Sequence, residues 1–284
     1  MSPARLRIGQ IDYLNVLPLF HTLKRAFPPS EVVQYVLGHP SQLNAGLADA
    51  SLDAAPASAF EYLQHAERYE LLPDLSITAS HGPVQSVLLL SPVPLAELPG
   101  FMARTGNVVR LSAASASSSA LLKVLWEFAW KLPPARWEAM EPGAGPAQDR
   151  PFMEIGNHAL RCWLERPPGW RVIDLAQAWQ DYSGLPCVFA VWIVRRGLSA
   201  SQKELLAEVH TALLHCKANC TDSMDEIATR DDLSAWISRR AMDNYFHYLD
   251  YDLGPAARAG LALYAEHCVK LGLLSGVPAL KFAL

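Results

Sequence analysis

Four short stretches of the chain place a polar or small residue at the point where a strand-like segment gives way to a helical one: Tyr13-Leu14-Asn15, Ser58-Ala59, Ser117-Ser118 and Gly156-Asn157. A helix start presents unpaired amide donors and a partial positive charge, so several converging ones form a carboxylate site without Arg or Lys. The chemistry they suit is recognition of a small organic anion. Taken singly, the same residues also read as plain helix caps. Ser86 follows Gly82-Pro83-Val84-Gln85, where a strand hydroxyl faces either a cleft or the backbone. His81, beside that turn, is the best-placed titratable group for proton transfer, and reads equally as an exposed loop histidine. His210, His215, Cys216 and Cys220 gather on one helical stretch, but their spacing matches no zinc pattern, so no metal is expected. Gly-rich phosphate loops, G-x-S-x-G and H-E-x-x-H do not occur, which argues against nucleotide, acyl-transfer and zinc-hydrolase chemistry. No cofactor is expected.

The elements that must position these residues belong to a chain of 284 residues, 51% apolar and 18% charged. That supports a substantial core, and the length points to two lobes. With 24 Lys and Arg against 28 Asp and Glu, net charge −4, there is no surplus to hold a polyanion, and nucleic acid is not an expected partner. Residues 1–7 carry two arginines but no apolar export segment, which argues for the cytoplasm. The most apolar runs, 86–90 and 187–194, are too short to cross a bilayer, so no membrane association is expected. Five irregularly spaced cysteines suit thiols better than a disulfide framework.

Strands are expected at 6–11, 32–37, 52–55, 75–80, 86–91, 108–112, 152–156, 172–175 and 187–194. Helices are expected from Pro18 to Phe27, over 41–48, from Ser58 (a capping box with Glu61), over 120–131 and 157–164, and around Trp179. Residues 133–151, rich in Pro and Gly, read as irregular, and after Ser199 only helical spacing appears. Alternating strands and helices with a helical tail indicate an α/β protein with parallel sheets. The crossings near 86–91 and 187–194 divide it into a discontinuous lobe 1 (1–90 and 195–284) and an inserted lobe 2 (91–194). A ligand would bind in the cleft between them.

Several stretches, in order along nearly the whole chain, resemble one family. They are Ile11-Asp12-Tyr13-Leu14-Asn15 with Pro18, Leu71-Leu72-Pro73-Asp74-Leu75-Ser76-Ile77, Gly82-Pro83-Val84-Gln85-Ser86-Val87, Ser183-Gly184-Leu185-Pro186-Cys187-Val188-Phe189-Ala190, and Tyr248-Leu249-Asp250-Tyr251-Asp252-Leu253-Gly254. They look like the chorismate dehydratases of the futalosine route to menaquinone. The resemblance implies a two-lobed periplasmic-binding-protein-like (type II) fold, with the helical tail packed on the first lobe. It also implies a reaction in which chorismate loses water to give 3-[(1-carboxyvinyl)oxy]benzoate.

On this reading Asn15, Ser86 and His81 stand at the reacting centre. Tyr13, Ser58, Gly82, Val84, Ser117 and Ser118 would contact the substrate, as would Asn157, Leu185 and Pro186. Asn15 and neighbouring donors would fix the substrate, whose own enolpyruvyl carboxylate takes the proton, with His81 as the alternative base or acid. The chain departs from the pattern at Ser117-Ser118 where Thr-Ser is common, and at Ile155-Gly156-Asn157 where Ile-Gly-Asp is usual. Cys187 stands for Phe and Ser183 for Thr. The rival readings are 1,4-dihydroxy-6-naphthoate synthase, of similar fold, and a non-catalytic organic-acid-binding protein.

Overall fold

The computed structural model describes residues 5–147, 149–220 and 222–284. Its first strand, β1 (Leu6–Ile11), pairs in parallel with β2 (Val33–Gly38) and β3 (Ala54–Ser58). Helices α1 (Leu17–Ala26), with Pro18 in its first turn, and α2 (Pro40–Ala48) make the crossovers, and α3 (Ala59–Gln64) follows β3. The long β4 (Tyr69–Ala79) then leads to the second sheet. There β5 (Val87–Ser91) is followed by α4 (Leu98–Thr105), β6 (Val108–Ser112), α5 (Ala116–Val124), β7 (Arg136–Met140) and β8 (Phe152–Ile155). Helix α6 (Gly156–Glu165), β9 (Arg171–Asp174) and α7 (Leu175–Ser183) complete that half.

The chain returns through β10 (Cys187–Arg195). Its tail comprises α8 (Ala200–Ala218), α9 (Met224–Ala228), α10 (Asp231–Ser234), α11 (Arg239–His247), the short β11 (Leu249–Asp250) and α12 (Pro255–Lys270). The strand orders are β11-β4-β10-β3-β1-β2 and β7-β6-β8-β5-β9.

Several expectations need correcting. The sheets are mixed, not parallel: β10 runs against β3 and β4, and β5 against β8 and β9. The reason is topological. The first crossing leaves the carboxyl end of β4 and the second follows α7, but β5 and β10 both start beside the carboxyl end of a neighbouring strand and run back from it. The expected lobe boundaries at 90/91 and 194/195 therefore cut through β5 and β10, which belong to the second and first sheets respectively. Sheet membership puts the crossings at 80–86 and 184–186.

Within 133–151, expected as irregular, β7 forms a parallel edge beside β6, steadied by Trp137 edge-on to Trp126 at 5.3 Å. Helix α5 begins four residues before the expected 120 because Ser115 caps it, and it passes into a π-helical turn at Leu125–Ala129. The helical spacing expected after Ser199 is interrupted between α10 and α11, with Ser238 starting α11 by accepting from Ala241 N.

The almost wholly apolar β10 lies inside its sheet, with Val191, Trp192 and Ile193 fully buried, as a strand covered on both faces requires. A second cluster joins the tail to both halves: Met224, Ile227, Leu233, Met242 and Tyr245 pack with Leu14 and Leu17 of the first half and Leu160 of α6. The tail thus touches the second lobe as well as the first. Among the described residues no helix is long and apolar enough to cross a membrane.

At the end of the first sheet remote from the crossings, Asp53 is fully buried. It accepts from Arg7 N at 2.8 Å, Arg7 Nε at 3.0 Å and Arg195 Nε at 2.9 Å, tying β1 and β10 to the entry of β3. Burial pushes its carboxyl up, but the hydrogen bonds and charges of the two arginines outweigh it and hold the group below its ordinary value. A lowered folded pKa stabilises the fold above the unfolded pKa of about 3.9, and that stabilisation is lost as pH falls through the folded value. Asp53→Asn is expected to lose about 3 kcal/mol in urea denaturation at pH 7, the lower end for a broken buried pair because both arginines reach solvent. The gap from wild type should narrow below about pH 4. A constant gap across that range would contradict the assignment.

Candidate active site

Four helical segments start beside one cavity between the two sheets. Tyr13 precedes the 3-10 turn Leu14–Val16 that leads into α1, Ser58 caps α3, Ser115 caps α5, and Ile155 precedes α6. All four residues line the cavity, as does Pro40 at the start of α2. Asn15, Ser86 and Ser118 add polar groups, and Ile11, Ile77, Val84, Val87, Gly156, Phe189 and Ala190 add apolar walls. About 550 Å³ is unfilled by protein atoms, the open mouth included. None of the lining side chains is Asp, Glu, Lys, Arg or His. The cavity therefore offers hydroxyls and the positive ends of helices to an anion, and offers it no counter-ion.

Cross-cleft hydrogen bonds hold the two halves together. Ser58 Oγ and Ser117 Oγ are 2.6 Å apart, and Phe60 N donates to Ser117 Oγ at 3.0 Å. Leu14 N donates to Asn157 Oδ1 at 3.1 Å. Gly156 has φ +63°, and a Cβ there would sit 2.9 Å from the Tyr13 ring, so glycine lets the second half close on that ring. Burial, with the negative charges of Glu154 and Asp12, pushes the Tyr13 phenol up to about 12. It remains a donor at neutral pH. Asn15 presents a buried Oδ1 without a hydrogen-bond partner, while its own carbonyl accepts from Tyr251 at 2.7 Å.

The crossing at 80–86 is clamped from the second sheet. The Asp174 carboxylate accepts from Val84 N at 3.2 Å and Gln85 N at 2.6 Å, as well as from Ala176 N and Gln177 N of α7. Burial pushes its carboxyl up to about 6 against the pull of the four amides. Gln85 is held at φ +62°, and Ser86 follows with its carbonyl accepting from Gly156 N at 2.8 Å.

A family model described as menaquinone biosynthesis matches residues 6–270. A chorismate dehydratase of Thermus thermophilus is 30% identical over 275 residues, 91% of this chain and 93% of its own. The chain belongs to the menaquinone biosynthesis family. A solved Archaeoglobus fulgidus protein superposes on this family member with TM-score 0.76 at 17% identity, covering 96% of this chain and 100% of its own. The periplasmic aliphatic sulphonate binding protein of Escherichia coli superposes with TM-score 0.65 at 14% identity, over 99% and 94%. The menaquinone-family chain thus has a two-lobed, periplasmic-binding-protein-like fold.

In this family member the residues read from sequence fall into three groups. Tyr13, Asn15, Ser58, Val84, Ser86 and Ser118 line the cavity. Ser117 and Asn157 are close by, but their side chains are spent on the opposite half. An Asn amide oxygen accepts from Leu14 N as a carboxylate oxygen would, so the departure from Ile-Gly-Asp keeps an acceptor at that place.

His81, Gly82, Leu185 and Pro186 are not among the lining residues. His81 is exposed, its ring 5.6 Å from that of His247 and 5.8 Å from that of Tyr248. Gly82 N donates to Gln180 Oε1. Leu185 N donates to Ser183 Oγ, and the Pro186 carbonyl accepts from Trp179 Nε1 on the α12 side of the crossing. Only half of the expected Ser58–Glu61 capping box forms, because Glu61 turns to Asn44 and Tyr69. Sequence reading missed Ser115, whose Oγ accepts from Ser118 N. The run Ser115-Ala116-Ser117-Ser118 offered three hydroxyls and no local sign of which one caps.

The four His and Cys residues gathered in the tail form no common site. His210 Nε2 meets the Pro73 carbonyl and His215 meets Asn219. Among the described residues no group of three metal-ligating side chains is assembled. Ser117→Ala strands Phe60 N and removes the partner of Ser58. It is expected to cost about 1–3 kcal/mol, whereas Asn15→Ala, which removes a buried oxygen without a partner, should not lower the urea midpoint.

Proposed function

We propose that this chain is a chorismate dehydratase, a cytoplasmic hydro-lyase of the futalosine route that converts chorismate to 3-[(1-carboxyvinyl)oxy]benzoate and water. The observation that carries the reading is the uncharged cavity ringed by four helix starts, which suits a small dicarboxylate. The named relative supports the reaction.

Chorismate as a dianion has two carboxylates that accept hydrogen bonds and one ring hydroxyl that can donate. The carboxylates suit the helix-start amides and the hydroxyls of Ser86 and Ser118, and the ring hydroxyl suits the partnerless Asn15 Oδ1. Loss of the proton from the ring carbon bearing the ether places charge in the diene conjugated with the ring carboxylate. Departure of the neighbouring hydroxyl then gives the aromatic ring, and proton and hydroxyl leave together as water. Donors fixed on the carboxylate stabilise the growing charge, one such donor being worth about 3 to 4 kcal/mol. Since no lining side chain is an ordinary base, the enolpyruvyl carboxylate of the substrate takes the proton. Positioning and closure are then the work of the protein.

Incubation of the purified protein with chorismate should remove the diene absorbance and yield a product lighter by one water in the mass spectrum. Binding of an organic acid without turnover would instead favour a binding protein, and turnover of a different substrate of the same route would favour the naphthoate synthase. Asn15→Ala is expected to lower kcat/KM by about 10²- to 10³-fold. His81→Ala should retain wild-type turnover, and its loss with binding intact would return His81 to the role of base or acid.

A further inference from the structure

Ser86 receives more support than a wall residue needs. It is 3% exposed, its carbonyl is tied to Gly156 N, and the preceding amide is clamped by Asp174. Its Oγ takes a hydrogen bond from the Tyr245 hydroxyl at 3.0 Å and gives a longer one to the Val84 carbonyl at 3.3 Å. Tyr245 comes from α11, outside both sheets, and is not part of the cavity lining. It is 1% exposed within the cluster that joins the tail to both halves. Burial pushes its phenol well above the ordinary value, and the bond to Ser86 only partly offsets this. It is protonated at every physiological pH.

A serine oxygen carries one proton and two lone pairs. With one lone pair taken by Tyr245, Ser86 keeps one lone pair and its proton, and the proton, held at rest only by the long contact to Val84, is what it can give an anion. An anionic oxygen in the cavity is the stronger acceptor. We propose that Tyr245 is a positioning residue: by donating to Ser86 Oγ it commits the Ser86 proton to the bound anion and strengthens that donation. Chained hydrogen bonds polarise one another in this way. The geometry stands by itself, while the kinetic consequence rests on the dehydratase reading. Where charge grows on the ring carboxylate in the transition state, the polarised donor acts on kcat more than on KM.

Tyr245→Phe keeps the ring and its packing and removes the donor. With chorismate, kcat should fall about tenfold with a smaller rise in KM and the melting temperature nearly unchanged, and the effect should vanish when Ser86→Ala is already present. Wild-type kcat in Tyr245→Phe, or an equal loss in both backgrounds, overturns the proposal. Isophthalate, an unreactive aromatic dicarboxylate, supplies a readout without turnover: its Kd should rise in Tyr245→Phe and be insensitive to that change in Ser86→Ala. If the wild type leaves chorismate intact, the dehydratase reading falls and isophthalate alone decides. Absent isophthalate binding by the wild type, or equal binding by all variants, then overturns the Tyr245 role.

Discussion

The cavity is ringed by helix starts and hydroxyls with no cation among its lining side chains, and much of the architecture serves that arrangement; on the proposed reading it is what a dianion leaving water would meet. Helix starts supply partial positive charge that is already oriented, so no long flexible side chain has to be ordered. They converge because strand carboxyl ends of both sheets face the cleft. The same geometry explains why β5 and β10 run against their neighbours: a strand that receives the chain at the cleft can only run away from it.

Closure is built from polar contacts that are themselves helix-start chemistry. Ser117 satisfies Phe60 N, Asn157 satisfies Leu14 N, and the Ser58 and Ser117 hydroxyls meet each other. An amide that would otherwise wait for a ligand is thereby paired across the cleft. The cavity keeps Asn15, Ser86 and Ser118 for its contents. The partnerless Asn15 Oδ1 is a cost in the empty protein, since a buried acceptor without a donor is unfavourable. A ligand that brings a hydroxyl relieves it.

The helical tail is more than a cover for the first sheet. Its small apolar cluster includes residues from α1 and α6, so it bridges the halves on the flank where the crossing at 80–86 passes. Gln85 Nε2 reaches the Asn244 carbonyl there, and Tyr245 reaches Ser86. With Asp174 holding the same segment from the other side, the crossing is fixed by partners from both the second sheet and the tail.

By itself the sequence determined the alternation of strands and helices, the burial of β10 and the helix starts at Tyr13, Ser58 and Gly156. Those depend on neighbours a few positions away, through periodicity, capping and turn residues. It also raised an anion as the ligand, but only if several helix starts converge, since each taken singly reads equally as a plain cap. Tertiary structure decided which of these groups face the cavity. Ser58 and Ser117 are 59 residues apart, Leu14 and Asn157 are 143, and Ser86 and Tyr245 are 159. No local pattern specifies such partners. His81 sits next to a cavity-lining segment in sequence yet turns outward to His247, while Ile77, Phe189 and Ala190 enter the wall as ordinary strand residues. A side chain's use is set by which face its strand presents once two distant crossings have closed the halves together.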